Sequence, residues 1–186
     1  MPELDPTPGQ TVGPFFHYGL TYPGDSELAA TGHRNAIRLH GNVFDGAGTP
    51  VPDALIEVWQ ADDTGAIVSE PGSLNRDGWT FTGWGRAATD AAGHYSLSTV
   101  TPGSTRPGQV PFFAVTVFAR GLLDALFTRA YLPHGNLAGD ALLVSLDDER
   151  RNTLICVSEP GGYRFDIRLQ GTAETVFLTY SRTRHD

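Results

Sequence analysis

One turn signal recurs along this chain and limits what it can fold into. Asp45-Gly-Ala-Gly48, Asp62-Asp-Thr-Gly65 and Asp90-Ala-Ala-Gly93 each pair an Asp with a Gly three residues later. The Asp side chain can bond the backbone just ahead of it, and Gly tolerates the left-handed conformation that closes such a turn. Short apolar pieces lie around these turns. Ile37, Leu39 and Val43 alternate with Arg38, His40 and Asn42, the period of a half-buried strand. Residues 54–59, 94–100, 110–120, 126–132, 154–157, 163–169 and 175–180 read as further strands, with 79–81 and 86–89 as short edge pieces. Many short strands with regular turn signals predict an all-β antiparallel sandwich or barrel. One or two short helices are expected, one of them over 145–154, where Ser145 stands as a cap with Asp148 three residues on.

At 186 residues, the chain has the length of one domain with room for a core. Cys156 is its one cysteine, which excludes an internal disulfide scaffold and argues against a Cys-based zinc site. A net charge of −8 with no basic face excludes a nucleic-acid binder. No apolar run approaches the roughly 18 residues that cross a bilayer, so no membrane is expected. The polar, Pro-broken start has no signal-peptide pattern, which makes the cytoplasm the expected compartment.

Residues 1–35 are set apart as an N-terminal arm, and 36–186 as the sandwich domain. Pro2, Pro6, Pro8, Pro14 and Pro23 forbid a long helix and interrupt any strand ladder in the arm. The apolar patch from Val12 to Phe16 must lie against this domain or against a partner chain, and the reading favours a partner.

Few motifs carry chemistry by themselves. There is no Gly-x-Ser-x-Gly and no phosphate-binding Gly-rich loop. Cys156, between apolar neighbours, reads as a buried inert thiol. The six His residues have no local pair at metal-clamp spacing. His17 reads as a structural hydrogen bonder.

The segment Leu39-His-Gly-Asn-Val43, Asp45-Gly-Ala-Gly-Thr-Pro50, Ala54-Leu-Ile-Glu-Val-Trp-Gln-Ala-Asp62, followed by Thr89-Asp-Ala-Ala-Gly-His-Tyr95 and Thr99-Val-Thr-Pro-Gly103, resembles the intradiol ring-cleaving dioxygenases. The resemblance spans about residues 36 to 180 and implies a prealbumin-like β-sandwich. In that family a ferric ion is held by two Tyr phenolates and two His imidazoles. The phenolates balance the charge of iron(III), and open positions receive the substrate oxygens. The matching positions here hold Ile67, Thr105, Phe112 and Ala114. None of these can replace a phenolate or imidazole, so the resemblance implies no metal in this chain.

One branch of the family is built from two related chains. Its beta chain carries the iron, and its alpha chain keeps the fold without the ligands. The arm Thr7-Pro-Gly-Gln-Thr-Val-Gly-Pro14, the segment Thr128-Arg-Ala-Tyr131 and Tyr163-Arg-Phe-Asp-Ile-Arg-Leu-Gln-Gly171 resemble the alpha chain. This implies a homologous iron-binding beta chain as partner, Fe(III) bound there, a higher-order alpha–beta oligomer, and a small aromatic acid opened by O2 in a shared pocket. Thr11, Gly13, Pro14 and Arg129 are the residues the resemblance places at that pocket. Arg suits an anionic substrate because its planar fork matches a carboxylate. The alternative reading is a stand-alone, non-catalytic β-sandwich binding module.

Overall fold

The computed structural model describes residues 13, 15–30, 32–69 and 76–180. Among the described residues, a short helix α1 (Phe16–Gly19) is followed by nine strands that form two facing sheets. The first joins β1 (Ala36–Phe44), β4 (His94–Val100), β7 (Val157–Glu159), β8 (Gly162–Arg164) and β9 (Ile167–Arg168), in the order β4-β1-β8-β7 with β9 beside the far end of β1. The second has the order β3-β2-β5-β6 and holds β2 (Leu55–Trp59), β3 (Trp84–Ala88), β5 (Phe112–Phe118) and β6 (Leu126–Tyr131). The pairing is antiparallel except where β8 and β9 lie parallel to β1. Between β6 in the second sheet and β7 in the first, the chain crosses over through η1 (Leu137–Gly139), α2 (Ala141–Ser145) and α3 (Asp148–Asn152).

Period-two patterning builds the core. Leu39 and Val43 of β1, Tyr95 and Leu97 of β4, Ile56 and Val58 of β2, and Phe113, Val115 and Val117 of β5 meet between the sheets. A second cluster of Val110, Tyr131, Leu143, Leu154 and Val176 seats the helical crossover. Part of the proline-rich segment also docks here. Leu28 and Ala29 donate backbone hydrogen bonds to the Ser98 carbonyl at 2.9 and 3.1 Å, and Leu28 is fully buried in the main core.

Three local expectations need correction. The helix expected over 145–154 is confined to α3, capped by the Asp147 side chain, while a second short helix, α2, ends at Ser145 and is capped by Asp140. Ser145 caps nothing: its hydroxyl donates to the Leu142 carbonyl at 2.8 Å, and extended backbone at Leu146 separates the helices. Residues 79–81 form no strand, because the Asp77 carboxylate accepts hydrogen bonds from the Trp79 and Thr80 amides and holds a turn. Residues 175–180 form no regular strand: they meet the sheets through the Phe127–Leu178 bridge, the Thr175 amide donating to the Arg168 carbonyl at 3.0 Å and the Thr128 hydroxyl donating to the Val176 carbonyl.

The outer face of the first sheet assembles charges that are remote in sequence. Pairing of β1 with β4 sets His40 Nδ1 at 3.2 Å from His94 Nε2, while His40 Nε2 lies 2.9 Å from Glu159 Oε2. Burial, then the nearby Arg38 and His40, lowers the His94 pKa below its usual 6.5. As pH falls below about 6.5, the unfolded chain therefore takes a proton that the folded chain resists, and stability is lost. The denaturation midpoint is expected to drop between pH 7.5 and 5.5, and His94→Gln is expected to flatten that drop. An unaltered profile in the variant would exclude His94 as its source.

Candidate functional site

The outer face of the second sheet carries the site. One cross-strand row runs Trp84, Trp59, Ala114, Arg129 from β3 through β2 and β5 to β6. Next along β5, Phe112 stands opposite Tyr131. Two loops close over this face. In the first, the Asp62 carboxylate accepts bonds from the Thr64 and Ala66 amides and the Thr64 hydroxyl. Slight burial opposes its ionisation, but these hydrogen bonds win and its pKa is lowered. In the second loop, the Ser104 hydroxyl bonds the Arg106 and Gln109 carbonyls, and Thr105 Oγ1 donates to Gln109 Oε1 at 2.5 Å.

The loops touch directly, with Gly103 N donating to Asp62 O at 2.7 Å. Gly65 sits at φ +92°, and a Cβ there would run into the Ser104 backbone. This contact leaves Ile67, Thr105, Phe112 and Ala114 around a single cavity of about 220 Å³. Trp59, Gln60, Val110 and Pro111 also line it, beyond the four positions that the family resemblance marks. Trp59 lay inside the quoted Ile-Glu-Val-Trp-Gln-Ala-Asp segment, but only the sheet register puts it beside Ala114.

The donor set does not fit ferric iron. Isoleucine, phenylalanine and alanine side chains hold no lone pair, and the Thr105 hydroxyl already serves Gln109. The neighbouring Tyr131 is not a ready phenolate: burial pushes its pKa up to about 12, against the lowering effect of Arg129. Among the described residues, no group of three His, Cys, Asp or Glu is placed to hold a metal. Cys156 is buried, which pushes its thiol up to about 12 and keeps it unreactive.

Arg129 borders this cavity without lining it. Its guanidinium sits 4.3 Å from the Phe112 ring centroid, donates to the Tyr131 hydroxyl at 3.1 Å, and stands 3.9 Å from Asp140 Oδ2. The Asp140 carboxylate also accepts from the Leu142 and Leu143 amides at the start of α2, so helix capping holds the arginine's anionic neighbour in place. About a third of the Arg129 side chain is exposed, in a depression shared with Leu142, Val176, Leu178 and Tyr180.

Gly13 is exposed, with nothing within 4 Å of where a Cβ would stand; Thr11 and Pro14 lie outside the described residues. His17 stands a few residues on from Gly13. Its Nδ1 is buried without a hydrogen-bond partner among the described residues, and its ring meets Tyr18 edge-on at 4.5 Å.

A family model described as Dioxygenase matches residues 25–134. The chain is 38% identical to the protocatechuate 3,4-dioxygenase alpha chain of Burkholderia cepacia, over 96% of this chain and 99% of that one. It is 31% identical to the beta chain from the same organism, over 89% and 76%. Among solved structures, the dioxygenase domain of a dioxygenase–carbohydrate-binding fusion from Streptomyces sp. SirexAA-E superposes with a TM-score of 0.59. It is 28% identical and matches 90% of this chain and all of that domain.

Proposed function

The chain belongs to the intradiol dioxygenase family, and from that membership we propose that it works as the alpha, iron-free subunit of a protocatechuate 3,4-dioxygenase. The enzyme as a whole inserts both atoms of O2 into protocatechuate and opens the ring between its hydroxyl-bearing carbons, giving 3-carboxy-cis,cis-muconate. Fe(III), its ligands and the acid–base groups belong to a homologous beta chain. The observation that carries this reading is end-to-end similarity to an alpha chain combined with a degenerate donor set, Ile67, Thr105, Phe112 and Ala114, around the cavity.

In this reading the chain's own residues bind and orient. Arg129 is suited to the substrate carboxylate because its guanidinium is already held by Tyr131, Asp140 and the Phe112 ring, so little side-chain freedom remains to be lost on binding. A fixed cation in a chain of net charge −8 also gives a small aromatic acid a local attraction. Thr11, Gly13 and Pro14 of the arm complete the wall of the partner's pocket. The exposed Phe15 beside this stretch supplies apolar surface suited to a partner chain.

Iron analysis tests the division of labour. The chain purified alone is expected to hold no stoichiometric Fe(III) and to show no visible phenolate-to-iron band. Co-expression with the beta chain is expected to give a coloured, active hetero-oligomer. Stoichiometric iron on the isolated chain would overturn the assignment, and so would full activity of the beta chain without it.

A further inference from the structure

We propose that the cavity between Trp59 and Phe112 is a binding site for an uncharged, single-ring aromatic molecule. The proposal does not rest on the reading of the chain as an alpha subunit, because every group it uses belongs to this chain.

The register creates the space. In the row Trp84, Trp59, Ala114, Arg129, the methyl group of Ala114 stands between two long side chains, with Phe112 next along the strand. The 62–67 and 103–109 loops roof the gap instead of filling it. Protein interiors normally close such spaces by side-chain packing. Here Trp59 remains 51% exposed and Ile67 78% exposed, large apolar surfaces left in water at the cavity mouth.

The lining selects the chemical class. No charged side chain lines the cavity; Arg129, which borders it, is held on the Phe112 ring and by Tyr131 and Asp140. Gln60 is spent: its Nε2 donates to the Ala61 and Val100 carbonyls at 3.0 and 2.9 Å, and its Oε1 accepts from Thr99. The Thr105 hydroxyl is directed at Gln109. A carboxylate or phosphate entering here would lose its water for no more than the Gln109 side-chain amide, with no cation in the lining to offset the loss. A neutral ring loses little and gains edge or face contact with Trp59 and Phe112. The size agrees: an apolar protein cavity of roughly 150 Å³ is enough to take up benzene, and this one measures about 220 Å³.

Titration of the full chain with toluene, read by tryptophan emission and by ligand-observed NMR, tests the proposal. Saturable binding in the sub-millimolar range is expected, with benzoate at least ten-fold weaker. Ala114→Leu fills the gap and is expected to weaken toluene at least ten-fold without lowering the thermal midpoint of the free protein. Ile67→Asp, at an exposed position, puts a carboxylate at the mouth and is expected to weaken it too, which covers the case that the Ala114 variant fails to fold. The same titration on the complex with the beta chain is expected to show the site still open. A non-saturable response, benzoate bound as tightly as toluene, affinity indifferent to both variants, or loss of binding in the complex would each overturn the proposal.

Discussion

Arg129→Ala in the assembled alpha–beta enzyme is expected to lower kcat/KM for protocatechuate roughly five- to thirty-fold, the loss of about 1 to 2 kcal/mol for one partly exposed charge-assisted contact. Catechol, which has no carboxylate, should be almost unaffected. The guanidinium is held at 3.1 Å from the Tyr131 hydroxyl and stacked on Phe112, so removing it deletes a cation already in position. Arg129→Lys should recover part of the loss, because an ammonium keeps the charge without the planar fork. Raising the salt concentration should shrink the difference between wild type and variant. Removing the arginine also leaves Asp140 without its nearest cation, so thermal midpoint and iron content need to be measured alongside the kinetics. Equal losses on protocatechuate and catechol would assign Arg129 to the fold or the interface and leave the shared pocket to the arm.

Gly41→Ala is expected to be severely destabilising for the addition of a single methyl group. Gly41 lies inside β1 on the core side, opposite Tyr95. An added Cβ would overlap the Phe165 carbonyl oxygen and come within 2.6 Å of its carbon. That same carbonyl accepts the hydrogen bond of the buried Tyr95 hydroxyl at 2.6 Å. The substitution must therefore push the 165–166 backbone outward and strand a buried phenol. Overpacking together with an unsatisfied buried donor costs about 3 to 5 kcal/mol, a large share of a typical domain's stability. Denaturant titration of the purified chain checks this. Tyr95→Phe combined with Gly41→Ala should cost less than the sum of the two single changes, because both act on one carbonyl. A loss below about 1 kcal/mol for Gly41→Ala would mean that the 165–166 backbone yields easily and that the contact is not a constraint.

What the sequence by itself determined is local. Alternation at Ile37, Leu39 and Val43, and the turns closed by Gly48, Gly65 and Gly93, depend on neighbours a few residues apart. The all-β class and most strands were therefore legible. That Ile67, Thr105, Phe112 and Ala114 offer neither a phenolate nor an imidazole was legible too, because side-chain identity alone decides it. Helix ends were less so: Asp140 and Asp147 capped where Ser145 was expected, since a carboxylate outcompetes a hydroxyl that bonds back into its own helix. Only the tertiary structure decided which residues meet. His94 and His40 are 54 positions apart, and Arg129 and Trp59 are 70 apart, yet the β1–β4 and β2–β5–β6 registers bring each set onto one face. Register is set by how the inward residues pack between the sheets, and a slip of one position would turn Ala114 into the core and close the cavity. No window of sequence contains that information, because the packing that selects it forms between segments that are neighbours only after the chain has folded.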